Sequence, residues 1–339
     1  MQRALFQVIM KYRNAIERER KTGEVDYRTL GRTDLTVSAV SLGGLFVSSQ
    51  SRDDGIAVIR HALELGVNLF DTAPSYFGGA SQEIIGEALD GVKEKHYVST
   101  KIGPGPDSAT SAAYDYDSIM KLFEYNLKSL RRDYIDIVHI HDPDRYGDPG
   151  NPGNYHAVFG KGMALEALQK LKDQKSIGAI GIASLWCDYQ AHCVDSGCFD
   201  VILTFNRYGL IWRDAQFQTF PFARKRNVGV MQGTPFHQGV LVWPNEEWVE
   251  NPPEWMTVDE HGRYRRLLDI QKRSGMPLTE LAIRFILSNE TVSTTIPGAA
   301  NVEQLVSNVR AAEAGPLPAD IQAEIESLGM LHADPRRYY

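Results

Sequence analysis

From Val37 to Pro297, short apolar runs of strand length alternate with longer segments whose apolar residues recur every three or four positions. The candidate strands are VSAVSLG (37–43), NLFDT (68–72), YVSTKI (97–102), YIDIVHIH (134–141), IGAIGIAS (177–184), DVILTF (200–205), VGVMQ (228–232) and VSTTIP (292–297). Between them lie amphipathic stretches such as IAVIRHALELG, SQEIIGEALDG, SIMKLFEYNLKSLRR and MALEALQKLKDQ. Strands that alternate with helices imply a parallel sheet. Eight such units predict an α/β fold of the closed (β/α)8 TIM-barrel type, in a single domain. An open doubly wound sheet is the alternative. It wants a GxGxxG turn after an early strand, and SLGGLF lacks that spacing.

Before the barrel, Leu5, Ile9, Tyr12 and Ile16 fall on one face of a predicted helix. That helix either packs on the main domain, the favoured reading, or meets a partner chain. LGRTDL then marks a turn between two short extended pieces, a β-hairpin preceding the barrel. The predicted organisation is an N-terminal helical extension over 1–26, the barrel over 27–330 and a C-terminal tail over 331–339. Two loops, 143–162 and 243–262, follow the fourth and seventh strands. Both would lie at the C-terminal face, where barrel active sites sit. Their Trp, Tyr, Asn and Asp content suits a pocket for a polar, ring-shaped ligand, with a solvated surface loop as the plain alternative.

The 339 residues are 43% hydrophobic and 23% charged, enough apolar content for a sizeable core without staples. A net charge of -7 argues against nucleic acid as partner, because phosphate binding wants clustered Lys and Arg. No apolar run approaches a membrane span and the N-terminus lacks a signal-peptide pattern, so a cytoplasmic location is expected, with no membrane partner and with a homo-oligomer left open. Cys187, Cys193 and Cys198 stand at spacings that match no common zinc pattern; they read as reduced, mostly buried thiols.

The chemistry gathers where early strands end. Strand two ends at Asp71, with Tyr76 close behind; strand three ends at Lys101; strand four ends at His141. In a barrel these ends converge on one mouth. A phenol with its usual pKa near 10 exchanges protons poorly at neutral pH. A neighbouring Lys cation is expected to lower that value, an Asp to keep the Lys charged and oriented, and a His to donate to a carbonyl oxygen where negative charge builds. Together they suit hydride transfer from a nicotinamide. Singly, each has a dull alternative: Tyr76 as a core aromatic, Asp71–Lys101 as a structural ion pair.

His139 and His141 lie two apart and so share a face of strand four. An HxH pair on a barrel strand also resembles the metal-dependent amidohydrolases. Those place HxH on the first strand, further His on the fifth and sixth, and an Asp at the end of the eighth. Here HIH is on the fourth, and IGAIGIAS, DVILTF and VSTTIP supply none of the rest. No metal is therefore expected, and His139 reads as a packed, neutral residue one layer below His141.

NLFDTAPSY, VSTKIG, DYIDIVHIHDP, IGAIGIAS and IPGAANVEQLVSN, in that order, resemble the aldo-keto reductase superfamily from about Tyr27 to near Leu328. The resemblance implies hydride transfer between NAD or NADP and a carbonyl or alcohol. It makes Tyr76 the general acid in reduction and the base in oxidation, tuned by Lys101 and Asp71, with His141 aligning the substrate oxygen. It implies a cofactor site made of Gly43, Gly44, Leu45 and Asp71; of Ala183 and Ser184 toward the carboxamide; of Phe205, Gly233, Thr234, Pro235, Phe236, Gln238 and Leu241; and of Ile296, Pro297, Gly298, Ala299, Gln304 and Asn308 toward the adenosine end. Many members carry a tyrosine that stacks on the nicotinamide where this chain has Gly233, and a Gln where it has Phe205, so Phe205 is assigned the stacking or packing role. With HDPD and NRYGLI, these departures resemble the sugar-oxidising branch of L-galactose, L-fucose and D-threo-aldose dehydrogenases. NADP-preferring members place Lys and Arg where this chain has Gly298 and Gln304, so either a preference for NAD or weak selectivity between NAD and NADP is expected, and Glu303 would repel a 2′-phosphate.

The leading reading is an NAD(P)-dependent aldose dehydrogenase. A general aldehyde or ketone reductase shares every catalytic residue. A cofactor-binding regulatory subunit, resembling the β-subunits of potassium channels, is the alternative from another class. The expected substrate pocket comprises Leu45, Phe46, Tyr76, Phe77, His141, Asp142 and Trp186: aromatic faces for the apolar side of a sugar, and a carboxylate for its hydroxyls.

Overall fold

The computed structural model describes residues 25–107, 112–147 and 155–331. The predicted N-terminal helix, the tail beyond Leu331 and part of the loop after the fourth barrel strand lie outside the described residues.

Among the described residues, ten strands form two sheets. β1 (Tyr27–Thr29) and β2 (Thr36–Ser38) pair antiparallel. β3 (Leu42–Gly43), β4 (Leu69–Asp71), β5 (Tyr97–Ile102), β6 (Ile135–His141), β7 (Ile177–Ser184), β8 (Val201–Phe205), β9 (Gly229–Gly233) and β10 (Thr294–Ile296) pair in chain order, all parallel. The sheet closes on itself: the Ser41 amide donates to Thr295 O at 2.9 Å and the Gly43 amide to Pro297 O at 3.0 Å. This is the (β/α)8 barrel. The run 37–43 is not one strand, however. Its first residues belong to β2 of the hairpin and only Leu42–Gly43 to the barrel, because the chain turns between them to enter the barrel wall.

Helices cover the outside: α1 (Arg52–Glu64), α2 (Ala80–Leu89), α3 (Tyr116–Ser129), α4 (Ala164–Asp173), α5 (Cys187–Asp195) and α6 (Phe220–Arg226), followed by α7 (Val258–Ser274), α8 (Leu278–Leu287), α9 (Val302–Glu313) and α10 (Ala319–Ser327). α1 begins earlier than its apolar periodicity suggests. Ser51 accepts from the Asp54 amide, Asp54 reaches back, and this capping box satisfies orphan amides of the first turn. Thr257 caps α7 with a second capping box, and the Asp115 and Asn301 side chains accept one first-turn amide each at the starts of α3 and α9.

Inside the barrel, side chains two apart on each strand point inward. Leu69, Tyr97, Ile137, Ala179, Val201, Leu203 and Met231 form an apolar plug with Leu30 and Val37 of the hairpin. These lie toward the strands' N-terminal ends, so the hairpin closes that end and leaves the other for polar residues. At Gly31 the chain crosses against β9: its φ is +57°, and an added Cβ would lie 2.1 Å from the Gly229 nitrogen. Only glycine fits there without strain. Gly31→Ala is expected to lose about 1–3 kcal/mol of stability, read as a lower urea midpoint, with the m-value unchanged.

Candidate active site

The open end is built from the residues that follow the apolar plug on each inward face. On β5 the alternation runs Tyr97, Ser99, Lys101, and on β4 Leu69, Asp71. Lys101 Nζ donates to Asp71 Oδ2 at 2.6 Å and to Thr72 O at 2.7 Å, and Ser99 Oγ donates to Asp71 Oδ1 at 2.8 Å. The ammonium also lies 4.8 Å from the centroid of the Tyr76 ring, close enough for its charge to act on the phenol. The His141 ring meets Tyr76 edge-on, centroids 6.2 Å apart. The four residues whose convergence the strand ends predicted thus meet at one place.

Burial dominates the electrostatics. Asp71 and Lys101 are nearly inaccessible to water. Burial pushes the Asp71 carboxyl up, opposed by Lys101 and Ser99. Burial alone would lower Lys101, but Asp71 and Tyr76 outweigh it and hold the ammonium above its usual value. The expected lowering of the Tyr76 pKa is not what the structure gives. Burial raises it, and Lys101 recovers only part of the shift, so the phenol keeps its proton at neutral pH. Burial, then the positive charge of Lys101, drives His141 well below the ordinary imidazole value, so it is neutral at pH 7. His139 is wholly buried and neutral for the same reasons, and its ring lies against Gly181, where a Cβ would come within 2.1 Å. Among the described residues no group of three His, Cys, Asp or Glu side chains is placed to hold a metal.

β6 ends in a second acidic feature. Asp142 takes φ +46°, an uncommon conformation for a non-glycine residue, held by its amide donating to Ala183 O at 2.8 Å. Its Oδ2 is 3.9 Å from His141 Nε2, and its Oδ1 is buried with no partner. Asp144 Oδ2 accepts the Leu185 and Trp186 amides, both at 2.9 Å, and so fixes the start of α5 next to the mouth. Burial and the neighbouring carboxyl push Asp142 up to about 8; burial takes Asp144 to about 6.

The other expected residues fall around the same rim. Leu45, Phe46 and Phe77 are exposed and Trp186 is half-buried. Ser184 ends β7 with a buried hydroxyl that has no partner. Phe205 pairs in register with Gly233, and a Cβ at 233 would lie 3.2 Å from Phe205 Cβ, so the aromatic residue occupies the inward position beside the bare glycine. Phe46 crosses to the start of the last segment, where its ring lies on Gly298. Gln304 Oε1 accepts the Ala300 amide at 2.9 Å and Asn308 donates to Gly298 O at 3.3 Å, ordering the turn into α9. The loop 243–262 carries Trp243, Trp248 and Trp255, which with Asn245 and Glu246 line a cleft of about 850 Å³ next to the turn after β9. Besides Asp142, the strained residues Phe77, Asn206, Thr234, His237 and Gln238 (φ between +49° and +58°) follow β4, β8 and β9, so backbone strain concentrates at this end.

Sequence reasoning passed over Ser99, Thr72 and Tyr114. Ser99 was findable, since it lies two before Lys101 on the same face. Thr72 acts through its carbonyl, and Tyr114 donates to His141 O at 2.6 Å from outside the strand, so neither leaves a trace in the pattern.

A family model described as "Aldo/keto reductase family" matches residues 39–329. The chain is 30% identical over 319 residues to an L-galactose dehydrogenase of Arabidopsis thaliana, covering 91% of each. It is 26% identical to a D-threo-aldose 1-dehydrogenase of a Pseudomonas species, covering 86% of this chain and 92% of the relative. Among solved structures it matches the aldo-keto reductase AKR11C1 of Bacillus halodurans with a TM-score of 0.76 at 24% identity, over 93% of this chain and 100% of the other, a likeness of fold.

The raised Asp142 carboxyl has a consequence for stability. Its folded pKa of about 8 lies above the unfolded value near 3.8. Between those values the folded state holds a proton that the unfolded state has released, so stability falls as pH rises from about 4 to 8 and levels off above. Asp142→Asn carries no such proton. Its melting temperature relative to the wild type should climb across that window and then stay constant; a constant difference from pH 4 to 9 would contradict the burial argument.

Proposed function

The chain belongs to the aldo/keto reductase family of NAD(P)H-dependent oxidoreductases, and on that premise we propose that it is an aldose dehydrogenase that oxidises C1 of a sugar. The observation that carries the chemistry is the buried Asp71–Lys101 ion pair with the Tyr76 ring 4.8 Å from the ammonium, beside a neutral His141. The residues present fit a nicotinamide cofactor. The unpartnered Ser184 hydroxyl is a hydrogen-bonding group for the carboxamide. The inward position at Gly233, flanked by Phe205, leaves a flat surface for the ring. The closely packed turn from Ile296 to Gln304 suits the adenosine end. When bound, the cofactor supplies or accepts the hydride.

The protein's own groups handle the oxygen and its proton. In oxidation Tyr76 acts as the phenolate, which Lys101 stabilises, and takes the hydroxyl proton to become the phenol; in reduction the phenol gives that proton to the oxygen and the phenolate forms again. Lys101 stays charged throughout because Asp71 and Thr72 O hold it. A neutral His141 places one N–H at the substrate oxygen without competing for the proton. Leu45, Phe46, Phe77 and Trp186 form the rim, with Asp142 beside His141 for a neighbouring sugar hydroxyl. The similarity to L-galactose and D-threo-aldose dehydrogenases supports the sugar reading over an unsubstituted aldehyde. Support for NAD over NADP comes from Gly298 under the Phe46 ring and from Gln304, which is engaged with the Ala300 amide, at the positions where a 2′-phosphate would want cations.

Tyr76→Phe should cut turnover by at least about 100-fold, the usual scale of general acid–base catalysis, in a 340 nm assay against a panel of aldoses and aldehydes, while the dissociation constant for NADH from fluorescence titration stays within a factor of two or so. Full activity in this variant would remove the proton role. The same titration with NADPH should give the weaker binding; tighter binding of NADPH would reverse the cofactor assignment.

A further inference from the structure

β4 and β5 pair in parallel with a two-residue step. The Tyr97 amide donates to Asn68 O at 2.7 Å, and the Thr72 amide donates to Ser99 O at 2.8 Å. The next rung on the β4 side would bring the amide of residue 74 to the carbonyl of Lys101. Residue 74 is proline, which has no N–H. The carbonyl of the lysine at the centre of the site therefore loses its ladder donor, in a place where water does not reach.

A side chain from the outer layer replaces it. Asn126, on α3 and wholly buried, donates from Nδ2 to Lys101 O at 3.0 Å. Its Oδ1 in turn accepts from Gln82 Nε2 at 3.0 Å, and the same Gln82 nitrogen donates to Thr100 Oγ1 at 2.7 Å. Gln82 is wholly buried too, near the start of α2, directly after the turn that carries Tyr76. Its neighbour Ser81 hydrogen-bonds with Thr72 Oγ1 at 2.7 Å and donates to Gly44 O at 2.8 Å. The start of α2 thus grips β4, β5 and the turn after β3 at once.

We propose that Gln82 and Asn126 are positioning residues that set the height of Lys101 against Tyr76, standing in for the backbone donor that Pro74 cannot supply. They touch neither substrate nor cofactor and act through the Lys101 carbonyl. Proline at 74 and the amide pair at 82 and 126 form one device: the proline ends β4, which frees the chain to carry Tyr76 to the mouth, and the amides restore the anchoring that this ending removed. The inference rests on the proposed role of Lys101 in tuning Tyr76.

The test uses the intact chain. Asn126→Leu, similar in size but without a donor, should lower kcat for alcohol oxidation by about 10–100-fold, since a displacement near 1 Å at a reacting group has that scale, with KM within about threefold and NADH affinity unchanged. Because a misplaced ammonium stabilises the phenolate less, the acid limb of the kcat/KM profile should move to higher pH. A purely structural role would lower the active fraction and leave the pH profile in place. Gln82→Met, which keeps Asn126 but removes its support, should move both quantities in the same direction by less, and it serves if Asn126→Leu does not fold. A folded variant of either kind with wild-type kcat and an unmoved acid limb would overturn the inference. Should Tyr76→Phe retain activity, the reading of the site fails; should Tyr76→Phe be inactive while Asn126→Leu and Gln82→Met behave as wild type, only the positioning role fails.

Discussion

Lys101 Nζ lies 2.6 Å from Asp71 Oδ2 in a place almost without water, and the rest of the site is arranged around that fact. Two charges removed from solvent cost several kcal/mol each unless their remaining hydrogen-bonding capacity is met. Here Thr72 O and Ser99 contribute to meeting it. The pair is therefore bound to one geometry, because any movement leaves a buried charge short of a partner. That rigidity fixes the ammonium beside the Tyr76 ring, while burial and then the charge of Lys101 keep the His141 imidazole neutral.

The barrel provides the setting in two stages. Its N-terminal end is filled by apolar side chains and stoppered by the hairpin, whose Leu30 and Val37 join the interior plug. Its C-terminal end then collects residues at or next to the ends of the strands: Asp71, Lys101, His141, Ser184 and Phe205. A side-chain period of two on the strands converts a linear pattern into layers, with apolar residues low and reactive residues high. The strained backbones at Phe77, Asp142, Asn206, Thr234, His237 and Gln238 lie just beyond that upper layer, where loops turn sharply to present the rim.

The second acidic feature follows the same logic with a different outcome. Asp71 faces an ammonium and can stay ionised. Asp142 faces a neutral imidazole and another carboxyl, so burial and Asp144 keep its proton on to about pH 8. Two carboxyl groups within one barrel mouth thus differ in their neighbours: Asp71 has an ammonium at 2.6 Å, whereas Asp142 has an imidazole and a second carboxyl.

The alternation of apolar runs and amphipathic stretches was enough to read the barrel, and the strand ends were enough to name Asp71, Tyr76, Lys101 and His141, because in a parallel barrel the end of every strand reaches the same face. What the chain order could not contain is anything decided by neighbours from distant segments. The run 37–43 reads as one strand, yet pairing with Tyr27–Thr29 claims its beginning and pairing with β4 its end. A lysine next to a tyrosine suggests a lowered phenol pKa, yet the depth of burial, a property of the packed molecule, raises it. Gln82, Thr100 and Asn126 are ordinary polar residues in sequence, and only the folded barrel links Gln82 to Thr100 and Asn126 and brings the Asn126 amide to the Lys101 carbonyl. Periodicity is local and survives in one dimension; desolvation and hydrogen-bond partnership depend on which surfaces meet, and those are fixed only once the chain has closed on itself.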